Sequence, residues 1–138
     1  MYMRIKMAKN AAGAAQPRFK EDGRFIAILK VGRLTRGDVV ALIKEALTAN
    51  RIVDLKGRDL HDLDLSGLSL GRADLSDANL SNANLSNTIL FNANLHNTDF
   101  SNANLSYIDF SYANLSGAKL GGANLYFAVL LKAVMPAM

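Results

Sequence analysis

The segment "ADLSDANLSNANLSN", residues 73–87, repeats one five-residue phrase three times: alanine, Asp or Asn, leucine, and two small polar residues. A helix advances about 100° per residue, so leucines five apart would spread around all of its sides. An uninterrupted strand would point successive leucines to opposite faces, because five is an odd number. The leucines can share one interior only if the chain turns in the same direction after every phrase. The period therefore predicts a solenoid in which each phrase is a short strand followed by a corner.

The same register runs through most of the chain. Every fifth position from Leu55 to Leu130, sixteen positions in all, is leucine or phenylalanine. The residue two positions earlier is small or apolar except at Arg58, Thr88 and Thr98. Residues two apart point to the same side of an extended segment, so both positions face inward and build one packed column. The expected centres of this column include Leu75, Leu80, Leu85, Leu90, Leu95, Phe100, Leu105, Phe110, Leu115, Leu120 and Leu125.

The two positions after each centre are mostly Ser, Asn, Gly or Asp, which suit corners. Asn and Ser side chains hydrogen-bond to nearby backbone, and Gly and Asn tolerate positive φ angles. Residues 53–132 contain no proline, so every backbone amide there can donate to a neighbouring coil. These features complete a repeat that can stack on itself.

The phrases "ADLSD", "ANLSN", "ANLHN" and "ANLSG" resemble the A(D/N)LXX pattern of the pentapeptide-repeat family over about 80 of the 138 residues. The resemblance implies an all-β fold, a right-handed parallel β-helix with a quadrilateral cross-section, four phrases per coil and about four coils in this chain. The family includes gyrase-binding DNA mimics, secreted bacterial effectors and proteins of other roles. A shared fold does not transfer function, so the resemblance leaves the activity open.

Composition and periodicity divide the chain into four segments. Residues 1–23 are basic and aperiodic, which predicts a flexible tail. Residues 24–52 are expected to form a capping region, residues 53–132 the β-helix, and residues 133–138 an apolar C-terminal end. Charge follows the same division, because residues 1–52 hold 11 Lys and Arg against 4 Asp and Glu, a net +7, whereas residues 53–138 hold 5 against 8, a net −3.

The capping region contains the amphipathic segment "TRGDVVALIKEALTAN", which predicts a helix at about 36–48. Thr35 and Asp38 have the spacing of a capping box. Because a bare β-helix end exposes unpaired strand edges, we expect this helix to cover the first coil, with binding to a partner as the alternative. Its predicted buried side consists of Val39, Val40, Leu42, Ile43, Ala46 and Leu47.

No catalytic constellation is evident in the sequence, and we expect neither an enzyme nor a bound cofactor or metal. Cysteine is absent, and the only histidines, His61 and His96, fall on outward positions. The serines occupy corners and lack a histidine partner pattern. The Asp and Asn residues before each centre are expected to form hydrogen-bonded ladders rather than metal sites, with Asn84, Asn104 and Asn124 stacked because they lie 20 apart.

Outward residues can be mapped because positions 20 apart should lie above one another. Most outward residues are small and polar, whereas large apolar and aromatic residues concentrate on one wall and its edges. An apolar, aromatic-rich patch is typical of a protein contact. The alternative is that the last coil departs from the pattern because it is the end. We name this set the aromatic wall: Ile89, Phe91, Tyr107, Tyr112, Tyr126, Phe127, Val129 and Leu131.

The C-terminal segment "ANLYFAVLLKAVMPAM" is apolar and carries a single charge, Lys132. Such an end favours a homodimer through the last coil. The sequence thus favours a bacterial, cytoplasmic scaffold for protein–protein interaction, since neither a signal-peptide core nor a membrane-spanning apolar run is present. The alternatives are a DNA mimic that inhibits or protects gyrase or topoisomerase, and a secreted effector. We do not expect direct nucleic-acid binding.

Overall fold

The computed structural model describes residues 33–137 and, as backbone, two short strands that precede them. Strand β1 is Gln16–Phe19 and strand β2 is Phe25–Leu29, and the two pair antiparallel. Strand β1 falls within the segment for which the sequence predicts a flexible tail, and the pairing itself is not predicted. The rest of residues 1–32 lies outside the described residues. The predicted flexibility of residues 1–23 concerns mostly these residues and stays a prediction.

Helix α1 occupies Arg36–Thr48, the range that the sequence predicts. Thr35 is its N-cap, and the Thr35 hydroxyl accepts a hydrogen bond from the Asp38 amide at 3.2 Å. The Asp38 carboxylate accepts in return from the Thr35 amide at 2.7 Å, which completes the predicted capping box. Asn50 follows the helix with a φ of 51°. Within the described part of the chain, no helix is long and apolar enough to cross a membrane.

Only one narrow stripe of α1 is buried. Val39, Leu42 and Ala46 join the hydrophobic core, together with Leu34, which precedes the helix. The prediction that Leu47 is buried is wrong, because its side chain is 75% exposed. Leu47 lies about 100° around the helix from Ala46, so it points away from the buried stripe. The two remaining residues of the predicted buried side are half-buried: Val40 and Ile43.

The repeats form a parallel β-helix in which each outward residue before a centre bridges the residue 20 positions later. The amide of Leu75 donates to the carbonyl of Asn94 at 2.8 Å, and the amide of Asn94 donates to the carbonyl of Ala73 at 2.9 Å. Within each phrase a turn closes the corner, as when Ala78 donates to Leu75 at 3.1 Å. Four rows of bridges result: 54–74–94–114–134, 59–79–99–119, 64–84–104–124 and 69–89–109–129.

The centres form a continuous apolar column. Every centre from Leu55 to Leu115 is fully buried. The rings of Phe100 and Phe110 meet edge to face inside the column, with centroids 5.8 Å apart. Leu120 and Leu125, also predicted as centres, are only partly buried because no further coil of the described residues covers them. Leu130, the last centre, is 38% exposed.

Two departures from the inward alanine position are explained by hydrogen bonds between coils. Thr88 and Thr98 are fully buried. The Thr88 hydroxyl donates to the carbonyl of Leu65 at 2.9 Å, and the Thr98 hydroxyl donates to that of Leu75 at 2.8 Å. A buried hydroxyl is tolerated when it is hydrogen-bonded. Threonine is therefore compatible with the packed column at both positions.

The N-terminal edge of the first coil is covered by arginine side chains. Arg36 donates to the carbonyls of Asp64 and Ser66 at 2.9 and 3.0 Å, and Arg33 donates to the carbonyl of His61. In the next coil the matching carbonyl, that of Asn84, accepts from the backbone amide of Leu65. The guanidinium groups thus take the place of a preceding coil.

The C-terminal edge has no comparable cover among the described residues. No carbonyl of residues 33–137 accepts a hydrogen bond from the amides of Leu120 or Leu125. Val134 and Met135 beyond them are 55% and 43% exposed. Among the described residues the two ends of the column are therefore chemically different, because arginine side chains contact the carbonyls of the first coil and no comparable groups contact the last one.

Candidate interaction surface

The aromatic wall is centred on one row of bridges. Ile89 and Val129 lie two coils apart on this row, and their side chains are 45% and 48% exposed. Asp109 lies between them and accepts a hydrogen bond from the amide of Ser111 at 2.9 Å. All eight residues that the sequence assigns to the aromatic wall have exposed side chains. The structure thus brings apolar groups of three successive coils onto one side of the solenoid.

Aromatic residues of the corner before this row form a first ridge. The rings of Tyr107 and Phe127 stack with centroids 5.3 Å apart and planes inclined by only 15°. Tyr126 contacts both rings edge to face, at 5.9 Å from Tyr107 and 4.3 Å from Phe127. The three rings restrict one another, so this ridge presents a rigid apolar surface.

A second ridge follows the corner after the row. Phe91 meets Tyr112 edge to face at 5.5 Å, and the Lys132 ammonium lies 5.6 Å from the centroid of the Tyr112 ring. Leu131 precedes Lys132 in the same corner and is 58% exposed. Phe91 and Leu131 therefore lie in the turns at the edge of the wall. The row of Ile89, Asp109 and Val129 runs between the two ridges.

Away from the aromatic wall the outward Asx residues form ladders. Asn124 donates to Asn104 at 3.4 Å, Asn104 donates to Asn84 at 3.2 Å, and Asn84 donates to Asp64 at 3.4 Å. This confirms the stacking that the 20-residue spacing predicts. The carboxylate at the foot of the ladder accepts from the Ser66 hydroxyl and amide, and these bonds hold the pKa of Asp64 below its usual range. These polar groups are satisfied within the chain.

The two histidines lie in outward positions, as predicted, and both have side-chain partners. His61 Nδ1 is 2.5 Å from Asp59, and hydrogen bonding from His61 is the largest effect that lowers the pKa of Asp59. His96 Nδ1 is 2.8 Å from the hydroxyl of Ser116, one coil later, a contact that the sequence analysis missed. The residues are 20 apart, so the spacing could have revealed it. No group of three or more metal-ligating side chains occurs within residues 33–137.

The corners share an unusual backbone conformation. All sixteen residues that lie two positions after a centre, from Gly57 to Lys132, have φ angles between 53° and 72°. This left-handed conformation costs about 1–2 kcal/mol for most L-residues, whereas Gly avoids the cost and Asn and Asp tolerate it. Eleven of the sixteen are Gly, Asn or Asp. The other five are Arg72, Tyr107, Tyr112, Phe127 and Lys132.

Comparison with known families and structures identifies the repeated segment. The family of pentapeptide repeats matches residues 69–106 and 108–135, with eight copies. The repeated segment belongs to the pentapeptide repeat family. Its β-helix is accordingly of the right-handed type found in the structural neighbours. Among curated proteins, none matches the sequence.

Solved pentapeptide repeat proteins resemble this chain. One from the thylakoid lumen of Arabidopsis thaliana is 32% identical with a TM-score of 0.59, over 61% of this chain and 60% of that one. HetL of the cyanobacterium Nostoc sp. strain PCC 7120, a protein involved in heterocyst differentiation regulation, is 37% identical with a TM-score of 0.46, over 58% and 41%. The chain thus spans less than two thirds of either protein.

The pentapeptide repeat pattern accounts for most of the surface but not for the aromatic wall. All five corner residues that are not Gly, Asn or Asp belong to two stacks of corners, 67–87–107–127 and 72–92–112–132. These are the two stacks that flank the row of Ile89 and Val129. The other two stacks, 57–77–97–117 and 62–82–102–122, contain only Gly, Asn and Asp. The departures at the left-handed corner position are therefore confined to one side of the solenoid.

Proposed function

We propose that this protein is a non-enzymatic, cytoplasmic bacterial scaffold that binds a partner protein through the aromatic wall. The observation that carries the proposal is the confinement of strained, bulky corner residues to the two sides of one exposed apolar row. Left-handed aromatic residues reduce the stability of the fold, and backbone strain of this kind is concentrated at functional sites. Binding gives a reason for that loss.

The energetics of such a contact are favourable. Burying one large apolar side chain contributes about 1.5–3 kcal/mol, and the aromatic wall offers eight. Tyrosine is among the residues that dominate the binding energy of protein interfaces. The stacking of Tyr107 on Phe127 orders the first ridge before any partner arrives, which reduces the entropy lost on binding.

A partner-binding test uses one substitution on the second ridge. We expect Phe91→Asp to retain the circular dichroism spectrum and to lose the partner in an affinity pull-down from the native host. Ser101→Asp, at the same repeat position in a different corner stack, serves as the matched control and should retain the partner. Equal capture by both variants would contradict the proposal.

We further propose a four-sided cross-section with about four coils, closed at its N-terminal end by residues 24–52. Four rows of bridges per 20 residues support the cross-section. The contacts of Arg33 and Arg36 with the first coil, together with the buried stripe of α1, support the cap. Deletion of residues 1–50 should then expose a strand edge and cause aggregation, whereas deletion of residues 1–20 should leave a soluble protein. Equal solubility would remove the cap from this proposal.

The open C-terminal end supports a homodimer through the last coil. Leu130, Val134 and Met135 expose apolar surface there, and neighbouring amides are unpaired within the described residues. Phe127 and Leu131 lie close to this end, so the double variant Phe127→Asp, Leu131→Asp should be monomeric by light scattering. Asn102→Asp, at the corner position of another stack, should leave the dimer intact. If Phe91→Asp also gives a monomer, the aromatic wall is a self-association surface instead.

A further inference from the structure

The chemistry of the aromatic wall also indicates what kind of segment it binds, an inference that rests on the proposed function. We propose that the wall takes a proline-rich segment in the polyproline II conformation. The segment has apolar residues three positions apart and a basic residue between them. Its apolar residues lie on Ile89 and Val129. Its basic residue lies on an adjacent face of the three-fold helix, and its long side chain extends to pair with Asp109.

The spacing of the apolar stripes favours this ligand. Ile89 and Val129 lie on coils that are two apart, which is about 9.6 Å at the usual distance between paired strands. A polyproline II helix has three residues per turn and rises about 3.1 Å per residue, so residues on one face recur every ~9.3 Å. An α-helix returns to the same face after seven residues, at about 10.5 Å. An extended strand covers about 10 Å in three residues, but residues three positions apart in a strand point to opposite faces.

The tyrosine hydroxyls favour a ligand with free backbone carbonyls. The hydroxyls of Tyr107, Tyr112 and Tyr126 make no hydrogen bond to any of residues 33–137. All three belong to the ridges that border the row. A polyproline II segment has no internal hydrogen bonds, so its carbonyls can accept from such donors. An α-helix satisfies its own backbone and offers nothing comparable along its length.

The aromatic character of the two ridges points the same way. Five of the eight residues of the wall are Phe or Tyr, and both ridges are held by ring–ring contacts. Proline-rich segments bind in grooves with aromatic walls, because their rings pack on flat apolar surfaces and their stiff backbone loses little entropy. The row of Ile89, Asp109 and Val129 runs along the axis of the solenoid with aromatic residues on both sides, which is the arrangement that such a segment needs.

The charges on the wall define the polar residue of the ligand and disfavour a second copy of the wall as its occupant. Asp109 is the only carboxylate in the row, and it lies between the two apolar stripes. Arg72 and Lys132, in the corner stack beside it, disfavour additional basic residues at the ends of the ligand. A two-fold pairing of two walls that placed Ile89 against Val129 would set Asp109 against Asp109. Like charges facing one another in this way oppose self-association.

The experiment measures fluorescence anisotropy of labelled ten-residue peptides with the full-length protein. The probe PAAPRAPAAP carries one central arginine between prolines three apart, and PAAPEAPAAP replaces that arginine with glutamate. We expect the arginine peptide to bind about tenfold more tightly than the glutamate peptide. Asp109→Lys should reverse this preference. Asp99→Lys, at the same repeat position in another row, is the matched control and should leave the preference unchanged.

The side chains of the ridges provide a second measurement. Phe91→Asn should lower the affinity for the arginine peptide without altering the circular dichroism spectrum. Binding that survives both Phe91→Asn and Asp109→Lys would place the peptide elsewhere and overturn the proposal.

A third peptide separates this proposal from the proposed function. It is helical, with leucines seven apart and a central arginine. If it binds in a manner that Phe91→Asn abolishes while the proline peptides do not bind, the occupant is a helix and only the proline-rich assignment fails. If no peptide binds and the native partner is still lost from Phe91→Asp in the pull-down, the assignment likewise fails and the proposed function stands.

Discussion

Two pairs of corner stacks in this solenoid share one backbone and differ in their side chains. In the stacks away from the aromatic wall every left-handed residue is Gly, Asn or Asp. Two of the glycines there are closely packed, as at Gly122, where a Cβ would lie 2.2 Å from the amide oxygen of Asn102. In the stacks that flank the wall, tyrosine, phenylalanine, arginine and lysine adopt the same φ angles.

The comparison shows that the repeat sets the backbone conformation of every corner, whatever its side chain. The identity of the corner residue then determines how much backbone strain the corner carries and which group it exposes to solvent. A Gly or Asn corner adopts the left-handed conformation with little strain, and Asn can extend a ladder, as Asn97 does by donating to Asp77 at 3.3 Å. An aromatic corner adds strain and presents a ring to solvent. Among the corner stacks, only the two that flank the aromatic wall contain residues with this strain.

The largest expected effect is the difference in free energy of unfolding between a substitution in the buried column and one at the neighbouring corner. Ala83 is buried and Asn82, its neighbour, is an exposed left-handed corner. Ala83→Arg places a charge in the packed column and should lower the free energy of unfolding by about 3 kcal/mol or more. Asn82→Arg should lower it by no more than about 2 kcal/mol, because only backbone strain is added. Urea denaturation measures both, and equal losses would mean that corners do not tolerate bulk.

An exchange of residues between the stacks tests the comparison directly. Asn102→Tyr adds strain without an aromatic neighbour and should lower the free energy of unfolding by about 1–2 kcal/mol. Tyr107→Asn relieves similar strain but loses ring contacts worth about 0.5–1.5 kcal/mol, so its net effect should be below about 1 kcal/mol. Thermal denaturation of the two variants provides the values. A larger loss for Tyr107→Asn would show that the ridges stabilise the fold.

Arg72 allows the strain to be relieved without loss of a ring contact. It has a φ of 64° and lies at the first corner of the stack that ends at Lys132. Arg72→Asn should raise the free energy of unfolding by about 0.5–1 kcal/mol. The matched control is Lys56→Asn, which leaves the left-handed positions unchanged. A decrease in stability for Arg72→Asn would indicate that this arginine makes a stabilising contact.

The smallest effect concerns an Asx residue away from the wall. Hydrogen bonds from Ser101 and the charge of Lys119, 3.8 Å away, hold the pKa of Asp99 below its usual range. A depressed pKa gives stability that is present above the unfolded value of about 3.9 and is lost as the pH falls through the folded value. The loss of stability between pH 5 and pH 2 should therefore be smaller in Asp99→Asn. An unchanged acid titration would show that Asp99 does not contribute.

The sequence alone determined the solenoid, because a five-residue period with leucine at its centre has only one way to bury all of its leucines. It also predicted α1 and its capping box, since both depend on residues close together in the chain. The 20-residue spacing was enough to predict the Asn84–Asn104–Asn124 ladder and to place eight exposed residues on one side. The role of that side remains a prediction.

Tertiary structure alone decided the features that depend on distant contacts. The exposure of Leu47 follows from which stripe of α1 joins the hydrophobic core, and the arginine contacts follow from carbonyls about 30 residues away. Thr88 fits the column because its hydroxyl reaches a carbonyl 23 residues earlier. The ring contacts of both ridges depend on side-chain orientation at left-handed corners. A repeat pattern specifies which residues are neighbours, but packing and hydrogen bonding between coils decide how those neighbours meet.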